Sequence, residues 1–195
     1  MAIDFVHSEE IVDAVIAVLT NQLPDGWVVP NGVEVELKCL QHGDLSDFTP
    51  NEIRELIPAI LVKSLGINQL KMELSGMQQT SEIFRVVMIR DFDQCVDENG
   101  LQIKNFARQR YYYTKQLNAA LFSDPQRRLC TFDEITGARE DVTLTCTDTN
   151  GAQIIKMNFR SWDFEGSTPE VNTIKNLQSK LWAVACDFEV IIRTG

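Results

Sequence analysis

Histidine is scarce in this chain: His7 and His42 are the two present, and neither stands at ligand spacing from a cysteine or carboxylate. A zinc site needs three or four such ligands converging, so no metal is expected. The five cysteines, Cys39, Cys95, Cys130, Cys146 and Cys186, are scattered without a CxxC pair. An odd, unpaired set suits a reducing compartment, where a free cysteine serves as a small core residue. The ten glycines stand singly, and there is no GxSxG, Walker or GxGxxG pattern. Nucleophile elbows, phosphate cradles and dinucleotide turns all need such clusters. No enzyme activity and no cofactor are therefore expected.

Positive charge is also short. The chain has 18 bases against 28 acids, a formal net charge of −10. A protein that grips nucleic acid through its phosphates carries a basic stripe that displaces counterions, so tight DNA binding is not expected. Long apolar runs are missing too. The longest uncharged ones, such as Leu181 to Cys186, are six residues, far below the roughly 20 that a membrane helix needs. Asp4, Glu9 and Glu10 occupy the place of a basic leader region, so a signal peptide is not expected and synthesis in a cytoplasm is.

What is present is an ordinary globular composition, 44% apolar and 24% charged over 195 residues. That suits one α/β domain spanning residues 1–195. Ile11, Val12, Val15, Ile16, Val18, Leu19 and Leu23 recur at helical spacing after Ser8, which predicts an amphipathic first helix ended by Pro24-Asp25-Gly26. Val33 to Leu40 alternates as a strand, and Gln41 to Thr49 is a polar loop. Thr49-Pro50 opens a short helix to Leu56, and Pro58 precedes a buried strand, Ala59-Ile60-Leu61-Val62. Gln69–Ser75 and Glu82–Phe92 form a hairpin. The second arm is apolar on both faces, with Phe84, Val86 and Met88 on one and Ile83, Val87 and Ile89 on the other. Such a strand belongs in the middle of a sheet.

A second long helix is marked by Ile103, Phe106, Ala107, Tyr113, Leu117, Ala120 and Leu121. Leu129–Phe132 and Val142–Thr147 read as strands, and Asn150-Gly151 is a hairpin turn signal that pairs Val142–Thr147 with Ile154–Arg160. Residues 131–162 thus read as an additional β-hairpin of that domain. Thr168-Pro169-Glu170 starts a further helix through Leu177. The final strand puts Trp182, Val184, Cys186, Phe188, Val190 and Ile192 on one face and Asp187, Glu189 and Arg193 on the other. Hairpins mixed with helices predict an α+β fold, a mostly antiparallel sheet with two or three packed helices.

Two clusters carry candidate chemistry. Asp91, Asp93, Asp97 and Glu98 follow the central strand; they are solvated loop acids or, in the enzyme alternative, a magnesium site. Arg108, Arg110, Tyr111, Tyr112, Tyr113 and Lys115 mix bases with aromatics on the second long helix. Three readings fit: a core helix with partly exposed tyrosines, a protein contact rich in Tyr and Arg, and a nucleic-acid surface.

The opening helix ending in Leu23-Pro24, the proline-led strand Pro58-Ala59-Ile60-Leu61-Val62 and the long closing strand Leu181 to Arg193 come in an order that resembles the tail terminator (tail completion) proteins of long-tailed bacteriophages. The resemblance implies a structural virion subunit without catalytic residues. Its partners would be copies of itself in a hexameric ring, the tail tube and the neck or connector proteins, with DNA passing unbound. The alternatives are another head–tail connector or baseplate component, a cytoplasmic binding module, and a metal-dependent enzyme using Asp91 to Glu98. In a ring of such acidic subunits the seams must pair opposite charges. The candidate interface bases are Arg85, Arg108, Arg110, Arg127 and Arg128, with Tyr111 and Tyr112 as apolar anchors.

Overall fold

The computed structural model describes residues 8–23, 39–72, 78–95, 99, 101–122, 129–133, 135–144, 152–164, 166–177 and 180–194. Among these residues a six-stranded sheet runs in the order β1-β2-β3-β8-β7-β6, and a two-stranded sheet pairs β4 with β5. The strands are β1 (Cys39–His42), β2 (Ala59–Met72), β3 (Gln78–Asp91), β4 (Cys130–Phe132), β5 (Arg139–Asp141), β6 (Thr143–Leu144), β7 (Ala152–Asp163) and β8 (Leu181–Thr194). The helices are α1 (Ser8–Gln22), α2 (Pro50–Leu56), α3 (Phe106–Leu121) and α4 (Pro169–Leu177). Among the described residues only β1 and β2 pair in parallel; the other ladders are antiparallel. The fold is α+β, as expected.

Helices cover both faces of the sheet. On one, α1 and α3 pack over Phe84, Val86 and Met88 of β3 and the even-numbered residues of β8. On the other, α2 and α4 pack over Val87 and Ile89 of β3 and over Leu181, Ala183 and Ala185. The strand of Phe84 is therefore buried on both faces and lies inside the sheet, bonded to β2 and β8. Phe84 sits opposite Phe188 with ring centroids 6.0 Å apart. Burying each such side chain contributes roughly 1.5–3 kcal/mol.

The α2 capping box forms as the sequence suggests, with Thr49 accepting from the Glu52 amide and Pro50 inside the first turn. Three local readings differ from the structure. The loop expected at Gln41 to Thr49 begins as strand, because Gln41 and His42 complete the parallel ladder with Leu61 and Val62. The buried strand at Ala59 and the hairpin arm from Gln69 are one strand, β2. Register shifts between Ser64 and Gly66 and between Ile67 and Gln69 break the alternation that would have joined them. Gly66 has φ +102°, a conformation open to glycine and costly for other residues.

The third difference is the expected hairpin over 131–162. β6 pairs Thr143 with Gln153 and Leu144 with Ala152, whereas a two-residue turn at Asn150-Gly151 would put Leu144 opposite Met157. Ile154 and the residues after it pair with β8, Met157 opposite Val190 and Phe159 opposite Phe188. β7 is thus a strand of the main sheet, and the separate two-stranded unit is β4–β5. The apolar face of β8 fixes β7 more strongly than a local turn preference does. Residues 33–38 of the expected early strand, the turn at Asn150-Gly151, Pro24, His7 and Cys146 lie outside the described residues.

Candidate protein-interaction site

Helix α3 is fixed from below and open above. Asn105 caps it, accepting from the Arg108 amide at 3.0 Å. Gln109, Tyr113, Leu117 and Leu121 follow one another at helical spacing and are buried. Gln109 is the polar anchor of that stripe. Its amide donates to the Phe92 carbonyl at 2.9 Å and to that of Ile103, and its oxygen accepts from the Trp182 indole at 2.9 Å. Tyr113 lies under the buried Arg90, whose guanidinium stands 4.0 Å from the ring centroid. This half of the helix belongs to the fold.

The other half carries the residues singled out in the sequence. Arg108 and Lys115 are exposed, Tyr111 is 70% exposed, and Tyr112 is half-buried against the core. Arg110 is half-buried and donates to the Phe164 carbonyl at 2.8 Å. It thereby ties the end of β7 to the helix. Between them runs a groove of about 590 Å³ with Ala107, Thr114 and Asn118 on the helix side and Trp162 and Phe164 on the strand side. The Trp162 and Phe164 rings stack at 6.3 Å. On the other flank of Tyr111 a second hollow of about 470 Å³ is bounded by Arg108, Tyr112 and Gln116. Thr114 lines the first groove with its hydroxyl oxygen buried and without a hydrogen-bond partner among the described residues. A buried hydroxyl left so costs about 1–3 kcal/mol.

Not every expected base stands here. Arg85 is on the opposite face, 13% exposed, and its guanidinium forks onto Asp187 at 2.6 and 2.7 Å and reaches Glu170 at 3.0 Å. Position explains this: Arg85 and Asp187 are directly opposed in the β3–β8 ladder. The arginine expected at a subunit seam is bound within its own chain. Arg127 and Arg128 lie outside the described residues. Trp162 and Phe164 were not singled out in the sequence, since only the fold brings β7 beside α3.

The Arg85 pair belongs to a larger network. Glu170 also binds Lys63, which in turn binds Asp44. Burial pushes the Glu170 carboxyl upward, but the Lys63 hydrogen bond, a backbone amide and the Arg85 and Lys63 charges outweigh it and hold it below the ordinary 4.5. Asp44 is likewise held low: burial opposes, and hydrogen bonds from Lys63 and the Ser46 amide prevail. The network joins the loop after β1 to β2, β3, α4 and β8 and reads as a structural staple.

Asp91 caps a short turn by accepting from the Asp93 amide at 2.8 Å, and Asp93 pairs with Lys180. Asp97 and Glu98 lie outside the described residues. Among the described residues no three His, Cys, Asp or Glu side chains converge as metal ligands. Cys39, Cys95, Cys130 and Cys186 are buried, and burial pushes the thiols of Cys39, Cys95 and Cys186 upward. Protonated thiols are poor nucleophiles and pack as small apolar groups. No helix among the described residues is long and apolar enough to cross a membrane. The strongest feature is thus the basic, aromatic outer face of α3. No model of a known protein family matches this chain, and comparison with curated proteins finds no match either.

Proposed function

We propose that this chain is a structural subunit of a phage tail or neck, of the tail terminator kind, whose copies form a ring that caps the tail tube. One observation carries the reading. In a chain of net charge −10, α3 bears Arg108, Arg110 and Lys115 and no acid, and it exposes Tyr111 between two hollows. Tyrosine and arginine around a depression are what protein interfaces concentrate. The acidity of the whole chain disfavours nucleic acid as the occupant of that face. A sheet buried under helices on both sides supplies the stiff body a ring subunit needs. Its place would be the virion, after synthesis in the host cytoplasm, beside the tail tube and the connector. Another head–tail connector or a baseplate component would use the same surface.

Negative-stain imaging of the purified chain, alone and with tail-tube protein, tests the reading. Closed rings, or caps on tube ends, are the expected result. Dispersed single subunits that ignore tubes would overturn it.

A further inference from the structure

Two exposed features of this molecule have complementary character and do not meet each other within the chain. The first is Ile135, 93% exposed at the tip of the β4–β5 hairpin. An isoleucine in open solvent is unremarkable on a loose loop, but this turn is firmly built. The Asp133 carboxylate accepts from the Ile135 amide at 3.1 Å and from the Thr136 amide and hydroxyl, both at 2.6 Å. Gly137 turns the chain at φ +67° and donates its N–H to the Asp133 carbonyl at 2.8 Å. The base of the hairpin is clamped to α1, where Asn21 donates to the Phe132 carbonyl at 2.8 Å and accepts from its amide at 2.9 Å. An apolar side chain held on such a preorganised turn loses little freedom on docking.

The second feature is the groove beside α3, with Trp162 and Phe164 on one wall and Ala107, Thr114 and Asn118 on the other. The charges of the two features are opposite. Residues 133–141 carry four acids and one base, while α3 carries three bases and no acid. Opposed patches of this kind steer association and set its register. Because Ile135 is 93% exposed, the tip does not occupy the groove of its own chain. Knob and groove are open on the same molecule at once. Two different complementary patches on one chain make a head-to-tail contact, which either closes into a ring or continues as a filament.

We infer that the Ile135 tip of one copy docks in the α3 groove of the next, with a second copy of this chain as the occupant. Ile135 packs against Trp162 and Phe164, and Glu140 faces Arg108 and Lys115, while Asp141 keeps its own partner Arg139. The inference rests on the assembly reading above and specifies its seam.

The test uses two full-length variants. Ile135→Asp spoils the knob and leaves the groove; Arg108→Glu with Lys115→Glu spoils the groove and leaves the knob. All three positions are exposed, so circular dichroism should match the wild type. Sedimentation velocity is run on each chain alone and on an equimolar mixture. Each variant alone should lose assembly and sediment at the 22.1 kDa chain mass. The mixture retains one intact knob and one intact groove, so it should form a 1:1 dimer and nothing larger. Assembly of Ile135→Asp like the wild type, or a mixture that stays monomeric, overturns this contact while assembly of the wild type keeps the broader reading. A wild-type chain that is monomeric throughout overturns both.

Discussion

Glu170 sits in the first turn of α4 and reaches two cations, Lys63 and Arg85, that stand on separate strands. Its side chain is 3% exposed, so loss of the carboxylate leaves two largely buried cations short of a partner. Glu170→Gln is expected to lower stability by about 3 kcal/mol in urea unfolding, the range for breaking a buried pair from one side. The pH dependence follows from the sign of the shift. The folded carboxyl titrates below its ordinary 4.5, so its contribution is full above that value and is lost as pH falls through the lowered one. Glu170→Gln should flatten the acid limb of the stability profile, and an unchanged limb would remove Glu170 from this role. Gln109 gives a second residue-scale expectation. Gln109→Leu removes the side-chain partner of the Ile103 carbonyl and of the Trp182 indole, and one of the two donors to the Phe92 carbonyl, a loss of about 1–3 kcal/mol, visible as faster hydrogen exchange around Ile103. Neither role was legible in the sequence. A charge on a strand or a glutamine on a helix does not announce its partner, and Arg85 looked like a surface base until the β3–β8 register set it against Asp187.

At the scale of elements, legibility followed periodicity. The stripe of α1, the Thr49-Pro50 start of α2, the two apolar faces of β3 and the division of β8 were all readable, because spacing along one element decides them. The course of β2 was not, since a bulge at Gly66 interrupts the alternation. Gly66→Ala tests that bulge. Its added methyl meets no atom within 4 Å, so any destabilisation, expected at about 1–2 kcal/mol by thermal unfolding, comes from backbone strain at φ +102°. A neutral outcome would mean that Gly66 is not held there. The groove beside α3 was half legible. Its bases and tyrosines showed in the sequence, whereas Trp162 and Phe164 enter through the tertiary placement of β7. Tyr111→Ala and Phe84→Ala should separate the two halves of this design. The first removes an exposed ring and should change monomer stability by less than about 0.5 kcal/mol. The second empties a buried site and should cost about 3–5 kcal/mol. Chemical denaturation of both variants makes the comparison.

At the scale of the whole molecule, charge would set the terms of the proposed assembly. Six copies of a −10 chain would bring together roughly −60 of formal charge, a repulsion that local pairing at the seams must overcome. The α3 face is the basic exception that would allow the proposed pairing, and exposed pairs weaken as salt screens them. The most direct measurement is the mass of the wild-type chain in solution across protein concentration and ionic strength. The account predicts a species of several copies at low salt and high concentration, shifting toward 22.1 kDa as salt rises or protein is diluted. A mass that stays at that of one chain under every condition would contradict it.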